Sequence, residues 1–208
     1  MKLELKNAWA EVTLGEYMDI NNVLEDKELK NRPLKQNVMM AAILSGKTVA
    51  EIEDIDHAGF TQVLNSLEFM DTVPLVSAEP TFLVKGDRYI FHPDFSKLTT
   101  GEMISIETVL GDAEKGAGDS MKMLLAILIR PAIKVEDNKE TEVTYIIEKF
   151  DADKLETRAQ IFTEHLTVDN FLAEYKHFFD TAVNSLTNMK SSSPQARGKK
   201  TARKTARK

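Results

Sequence analysis

Cysteine is missing from this chain of 208 residues, and its absence excludes two kinds of site. Without a thiol the protein cannot form a disulfide framework, and no thiolate can serve as a metal ligand or as a nucleophile. The composition therefore favours synthesis in a reducing compartment.

Long apolar runs are also missing. The longest, residues 123–129, is far shorter than the roughly 18 to 20 residues that cross a bilayer. Residues 1–6 alternate charge with leucine and lack the apolar centre of a signal peptide. We therefore predict a soluble protein without a membrane partner, present in the cytoplasm when it is made.

The motifs of common enzymes and cofactor sites are absent from the sequence. It contains no G-x-S-x-G, no G-x-x-x-x-G-K-[ST] and no G-x-G-x-x-G. The glycine-rich residues 111–119 are acidic, which disfavours phosphate, and predict a flexible loop between helices. We therefore predict no catalytic residues, no cofactor and no enzymatic activity.

Metal ligands show no recognisable spacing either. The four histidines are far apart, and we interpret each as a surface or partly buried side chain: His57, His92, His165 and His177. The Asp-x-Asp pairs at residues 54–56 and 151–153 lack the glycine and terminal glutamate of a calcium loop. They are better interpreted as acids that favour the positive end of a helix, so we predict no metal site.

What the sequence does contain is a repeated pattern. The motif T-x-G-E-x-x-x-I-x-x-V-L occurs at residues 13–24 and again at residues 99–110. At nearly the same offset, the apolar residues 39–44 return as residues 123–128, and residues 60–71 are echoed weakly by residues 171–180. Because the order is kept, we predict an internal duplication. The first copy would span residues 1–80, the second residues 81–189, and a tail residues 190–208.

The fold class predicted from these patterns is mainly α with one or two small β-hairpins, that is, α+β. Each copy is expected to open with a hairpin, one within residues 2–12 and one in which residues 81–84 and 88–91 flank a turn at Gly86. In each repeated motif a threonine and the glutamate three residues later predict a capping box that begins a helix. We prefer this cap to a ligand-binding role, because a lone Gly-Glu lacks the spacing of a phosphate loop.

The helices that follow each cap are predicted to be amphipathic. Their apolar residues fall at spacings of about three and four, as in Met103, Ile106, Val109 and Leu110. A capping box at Thr48 and Glu51 predicts a short helix. Further helices are predicted over residues 33–44, 56–70, 120–130, 155–162 and 168–186. Residues 143–150 are β-rich or helical by pattern, and we favour a helix because residues 145–147 continue into the charged Glu148 and Lys149.

Methionine and aromatic residues allow two interpretations. Four methionines lie in the repeated apolar helices, where we favour core packing over a partner-binding surface: Met39, Met40, Met121 and Met123. Near the end, Phe171, Tyr175 and the pair Phe178-Phe179 either cover the other half of the chain or line an exposed groove.

The net charge of −6 conceals a body and a tail of opposite sign. Residues 190–208 contain eight Lys or Arg residues and no acid, which leaves 19 basic and 33 acidic residues, or −14, in residues 1–189. The tail has no large apolar residue and is expected to be disordered. Its candidate nucleic-acid or polyanion contacts are Arg197, Lys199, Lys200, Arg203, Lys204, Arg207 and Lys208. There are two alternatives: the tail increases solubility, or it folds back on the acidic body.

Several short motifs of the second copy resemble small proteins from the structural gene clusters of tailed bacteriophages. They are T-G-E-M-I-S-I at residues 100–106, A-I-L-I-R-P at residues 126–131, Y-I-I-E at residues 145–148 and the pair Phe178-Phe179. The chain departs from the usual pattern at Ile129, where an aromatic residue is common, and the basic tail lies outside it. The resemblance covers roughly residues 90–185 and implies a virion or tail-assembly protein, chaperone-like, without catalytic residues.

Two functions follow as predictions. The first is a non-enzymatic virion or tail-assembly protein whose partners are phage tail, connector or capsid proteins, located in the host cytoplasm during assembly or in the virion. The second is an accessory nucleic-acid-binding protein that acts through the basic arm.

Overall fold

Helices dominate the computed structural model, which describes residues 3–72, 81–92, 97–112, 117–135 and 144–172. The helices are α1 (Leu14–Glu25), α2 (Pro33–Ser45), α3 (Val49–Glu53), α4 (His57–Leu67), α5 (Thr100–Gly111), α6 (Ala117–Leu128) and α7 (Leu155–His165). The strands are β1 (Phe82–Val84), β2 (Asp87–Phe91), β3 (Ile129–Val135) and β4 (Thr144–Ile147). The predicted α+β class is confirmed.

The capping boxes are present where the sequence predicts them. The hydroxyl oxygen of Thr13 accepts a hydrogen bond from the Glu16 amide at 3.3 Å, and the Thr13 amide donates to the Glu16 carboxylate at 2.8 Å. Thr99 and Glu102 form the same box at the start of α5. Thr48 and Glu51 form a third at the start of α3. The repeated T-x-G-E motif is therefore a helix N-terminus in both copies.

The sheet is an antiparallel meander in the order β1-β2-β3-β4. The turn between β1 and β2 places Lys85 and Gly86 at φ values of 54° and 89°, which is the left-handed geometry of a tight two-residue hairpin. This confirms the hairpin predicted at the start of the second copy.

The hairpin predicted within residues 2–12 is wrong. In the described part of that segment there is no strand, and residues Trp9–Glu11 form a turn of 3-10 helix. Leu3 and Leu5 instead pack against the buried residues of α2, α3 and α4. The alternating residues Leu3 and Leu5 therefore belong to an extended segment that packs on helices and pairs with no strand among the described residues.

The helix predicted over residues 143–150 is also wrong. Residues Thr144–Ile147 form β4, in keeping with the preference of β-branched and aromatic residues for strands. The helix predicted to reach residue 130 ends at Leu128, and the chain continues directly as β3. Pro131 lies where the pairing of β3 passes from β2 to β4, so its missing N–H is tolerated there.

The two predicted copies share one hydrophobic core. Its main cluster joins Leu14 and Ile20 of α1 to Tyr89 of β2, Leu128 of α6 and Phe162 of α7. The Leu14 amide donates to the carbonyl of Leu166 at 2.7 Å, and the Val168 amide donates to the carbonyl of Val12 at 2.8 Å. The start of the first copy is thus hydrogen-bonded to residues near the end of the second.

The four methionines of the repeated apolar helices all contact buried clusters. Met40 is buried, Met39 and Met121 pack against the main cluster, and Met123 packs against a second cluster. Core packing is confirmed for all four. The predicted helix 168–186 is helical over residues 168–172, and its remainder lies outside the described residues, as do Tyr175, Phe178 and Phe179.

Candidate functional site

The outward face of α5 is the most apolar exposed helix surface in the described part of the chain. Met103, Ile104 and Leu110 are 48%, 58% and 65% exposed. At 100° per residue, they fall on an arc whose other exposed members are Thr100, Gly101, Glu107, Thr108 and Gly111. Glu107 is the one charged side chain on that arc.

The inward side of α5 is held firmly. Val109 and Ile106 pack against a buried cluster that contains Leu124 and Ile127 of α6 and Leu155 of α7. The outward apolar residues therefore sit on an anchored helix, and their exposure does not come from a loose segment.

A buried ion pair fixes the start of α5. The carboxylate of Glu102, which is 1% exposed, accepts hydrogen bonds from the Thr99 amide at 2.5 Å and from the Thr99 hydroxyl at 2.6 Å. Its other oxygen lies 2.8 Å from Nη2 of Arg130 on β3. Burial lowers the pKa of Arg130, and the nearby charges of Glu102 and Glu148 oppose that shift.

A second ionic contact ties α7 to its neighbours. Arg158, which is buried, donates to the carbonyl of Ala126 at 2.8 Å and to the carboxylate of Glu148 at 3.1 Å. Lys154 reaches the same carboxylate at 2.6 Å. Burial lowers the pKa of Arg158. These charges are satisfied within the protein and position the helices around α6.

The repeat relates α5 to α1, where the counterparts of Met103 and Ile104 are partly buried, whereas Leu24, the counterpart of Leu110, is 46% exposed. Tyr17 and Met18 occupy the positions of Met103 and Ile104. The Tyr17 ring lies 6.0 Å from the Trp9 ring and 5.4 Å from the Phe171 ring, centroid to centroid. The end of the Met18 side chain lies against Gly118 of α6. In the described residues, α5 has no comparable cover over Met103 and Ile104.

Two smaller apolar surfaces lie elsewhere. Ile133 and Ile146 are paired across β3 and β4, and each is about half exposed. A groove of about 420 Å³ lies between α1, α2 and α4, and its apolar lining consists of Leu24, Met40, Leu64, Leu67 and Met70.

The predicted histidine and aspartate positions are dispersed. His57 is exposed at the first residue of α4, and His165 lies at the end of α7 with Nε2 3.5 Å from the Glu164 carboxylate. Asp56 caps α4 by accepting a hydrogen bond from the Gly59 amide at 2.7 Å, as expected for an acid at a helix start. No group of three potential metal ligands occurs among the described residues.

The seven basic residues predicted to bind nucleic acid lie outside the described residues: Arg197, Lys199, Lys200, Arg203, Lys204, Arg207 and Lys208. Among the helices that the structure describes, none combines the length and the apolarity needed to cross a membrane.

The exposure of α5 was not anticipated from the sequence. The apolar spacing predicts an amphipathic helix with Met103, Ile106, Val109 and Leu110 on its apolar positions, but Met103 and Leu110 are exposed. One signal was available: apolar residues occur nearly all round the helix, at 103, 104, 106, 109 and 110. Such a pattern indicates a helix that needs cover on more than one side.

Comparison with known proteins finds no matching family model, no similar curated protein and no similar solved structure, so the resemblance to phage proteins stays a prediction.

Proposed function

We propose that this protein is a non-enzymatic bacteriophage virion or tail-assembly protein that binds other phage structural proteins through the outward face of α5. The observation that carries the proposal is the exposure of Met103, Ile104 and Leu110 on an anchored helix with a single charge on the same arc. Contiguous exposed apolar surface on a soluble domain is typical of protein interaction sites.

The phage assignment rests on the resemblance, and the geometry gives its motifs a common structural role. Glu102 of T-G-E-M-I-S-I pairs with Arg130 of A-I-L-I-R-P at 2.8 Å. Glu148 of Y-I-I-E pairs with Arg158 at 3.1 Å. The first pair joins α5 to β3, and the second joins the end of β4 to α7. Arg158 also donates to the carbonyl of Ala126 in A-I-L-I-R-P, and these contacts between the motifs support treating them as one pattern.

The proposal is tested by partner capture from cells that make the complete set of phage structural proteins. We expect Met103→Asp and Leu110→Asp to abolish capture of tail, connector or capsid proteins, because a charge on the arc opposes burial in an interface. Leu83→Asp is the matched control, since Leu83 is 57% exposed and lies on β1 rather than on α5. Equal capture by all three variants would contradict the proposal.

The basic arm favours a second candidate function, namely non-specific binding of nucleic acid. Eight basic residues without an acid follow a body of charge −14. If the arm binds phosphates, affinity should fall steeply with salt, with a log–log slope of about 0.7 to 0.9 per phosphate neutralised. Replacing the seven named Arg and Lys residues by Gln should abolish binding and leave partner capture intact. Binding that survives this replacement would exclude the arm as its source.

A further inference from the structure

We infer that the groove between α1, α2 and α4 binds an amphipathic, basic helix of another protein. The groove has a volume of about 420 Å³, and none of its lining residues belongs to α5. It is therefore a second binding surface, which goes beyond the proposed function of the α5 face.

The groove has an apolar lining. Both α1 and α4 contact α2, which contributes the buried Met40. Leu24 lines the groove from α1 and is 46% exposed, and Leu64 and Leu67 line it from α4. The half-buried Met70 follows α4. Because methionine is flexible and polarisable, it adapts to side chains of different shapes. The groove is therefore suited to apolar side chains from a partner.

The rim of the groove is acidic. Glu68 and Asp71 line it and are exposed, whereas its lining includes no Lys, Arg or His. Neither carboxylate forms an ion pair within the described part of the chain. Carboxylates without a local counter-ion favour a partner that carries positive charge.

Two helix ends add to this preference for positive charge. Leu24 is the last residue but one of α1, and Leu67 is the last residue of α4. The C-terminus of a helix carries a partial negative charge, because its last carbonyl groups have no partners in the helix. Neither helix has a basic residue in its last turn. A partner's Lys or Arg would supply the positive charge that these ends lack.

The lining favours a helix over an extended peptide as the occupant. Every lining residue belongs to an α-helix or to the turn of 3-10 helix after α4, so the groove offers no strand for backbone pairing. An extended peptide would bury N–H and C=O groups without partners, whereas a helix satisfies these groups internally. Such a helix places apolar residues in the groove and basic residues at the rim.

The basic residues 190–208 of this chain do not have the required composition. They include no large apolar residue that could fill the groove. The occupant is therefore a segment of a different protein that combines apolar and basic residues on one helix.

The inference is tested by titrating the full-length protein into a labelled synthetic peptide. The peptide is a helix of four turns made of leucine and lysine, with the leucines on one face. We expect saturable binding, and we expect affinity to fall by about tenfold or more when glutamate replaces every lysine. Equal affinity for the two peptides, or binding of neither, would overturn the inference.

Charge variants distinguish the groove from general attraction to an acidic protein. Glu68→Lys/Asp71→Lys should weaken binding of the lysine peptide by about tenfold, because the charges lie at the contact. Glu53→Lys/Asp54→Lys is the matched control, since it changes the net charge equally at exposed residues outside the groove. The control should weaken binding by less than about twofold at physiological salt. Equal losses in the two variants would overturn the groove as the site.

A second pair of variants tests the apolar contact. Leu24→Asn should weaken binding by about tenfold, because Leu24 lines the groove, and its exposure makes the variant compatible with folding. Leu34→Asn is the control, since Leu34 is 63% exposed on α2 and lies outside the groove. Coincident urea midpoints would establish that both variants are folded. Unchanged affinity in Leu24→Asn would contradict the inference.

Methyl NMR of the methionines locates the peptide without a substitution in the groove. On titration with the lysine peptide, the signals of Met40 and Met70 should shift, whereas that of Met103 on α5 should not. Shifts confined to Met103 would place the peptide on α5 and overturn the inference. Met103→Asp should bind the peptide with unchanged affinity, so this inference and the proposed function can fail separately.

Discussion

Gly15 and Gly101 occupy the same position of the repeated motif but have different surroundings. A Cβ on Gly15 would lie 2.8 Å from the backbone oxygen of Thr163, whereas a Cβ on Gly101 would lie 3.7 Å from ring atoms of Phe150. The first distance is a clash with the backbone of α7, and the second is ordinary van der Waals contact. One motif glycine therefore permits close packing of two helices, and the other has room to spare.

We expect Gly15→Ala to lower the free energy of unfolding by about 1 to 3 kcal/mol, because α1 and α7 must separate slightly. Gly101→Ala should be neutral or stabilise by up to about 1 kcal/mol, because alanine restricts the unfolded chain. Urea unfolding of both variants measures the difference. Equal destabilisation would show that the motif glycine is needed for another reason in both copies.

The capping glutamates offer a second matched pair. Glu102 contacts the buried Arg130, whereas Glu16 contacts Lys6 at 2.6 Å with both side chains partly exposed. Glutamine can still complete a capping box, so Glu→Gln removes mainly the charge. We expect Glu102→Gln to cost about 3 to 5 kcal/mol, since it leaves Arg130 buried and unpaired.

Glu16→Gln should cost less than about 1 kcal/mol, because a partly exposed ion pair contributes little. Chemical denaturation of the two variants under identical buffer conditions gives the comparison. If Glu102→Gln proved as mild as Glu16→Gln, the buried pair would have no special role in holding α5.

At the scale of elements, α3 has only five residues and depends on its cap. Hydrogen bonds from the amide and the hydroxyl of Thr48 lower the pKa of Glu51 below its usual 4.5, and Lys47 contributes less. Because the pKa is lowered in the folded state, the stabilisation is present above pH 4.5 and is lost as the pH falls through the lowered pKa.

We therefore expect α3 to fray in acid while the other helices persist. Chemical shifts of the Glu51 and Ile52 amides, followed by NMR as the pH is lowered, would report the change. Thr48→Ala should produce similar shifts near neutral pH. Amide shifts of α3 that stay constant while the Glu51 carboxylate is protonated would contradict this expectation.

Four helices could be predicted because their signals act within a few residues. Pro33 begins α2, the capping box of Thr48 begins α3, and Asp56 caps α4. The apolar spacing predicts α7. The extended segment at residues 3–8 and the strand β4 were not predictable, because each depends on contacts with residues that are distant in the sequence. Residues 3–8 lie on helices of the first half, and β4 requires β3 as a neighbour.

At the scale of the whole molecule, the shared core couples the two predicted copies. Because the main cluster contains residues from α1, α2, β2, α6 and α7, neither half retains this cluster without the other, although each half also has a smaller buried cluster of its own. We expect a single cooperative unfolding transition, because both halves contribute residues to the same main cluster.

Fluorescence of Trp9, the only tryptophan, reports on the first half, and a dye on Leu83→Cys reports on the second. Their urea midpoints should coincide with the midpoint of far-UV ellipticity. Two separate midpoints would show that residues 1–80 and 81–189 unfold as independent domains.

The exposure of α5 also depends on contacts between distant parts of the chain. The local sequence of α5 therefore did not predict it. Among the described residues, Tyr17 of α1 is partly covered by Trp9 and Phe171, whereas its counterpart Met103 of α5 is 48% exposed. Phe171 lies more than 150 residues from Tyr17 in the chain, and no pattern within residues 99–110 records its position.

The bridge between Thr13 and Thr167 also affects biosynthesis. About 150 residues separate Thr13 from Thr167 in the sequence. At about 5 to 20 residues per second, a ribosome needs roughly 8 to 30 s to synthesise the residues between them. During that interval Leu14 and Ile20, both buried in the folded protein, lack the residues of α6 and α7 that belong to the same cluster. The packing of α1 is therefore expected to finish only after residue 168 has been synthesised, and a chaperone that binds the first half would be most useful before that point.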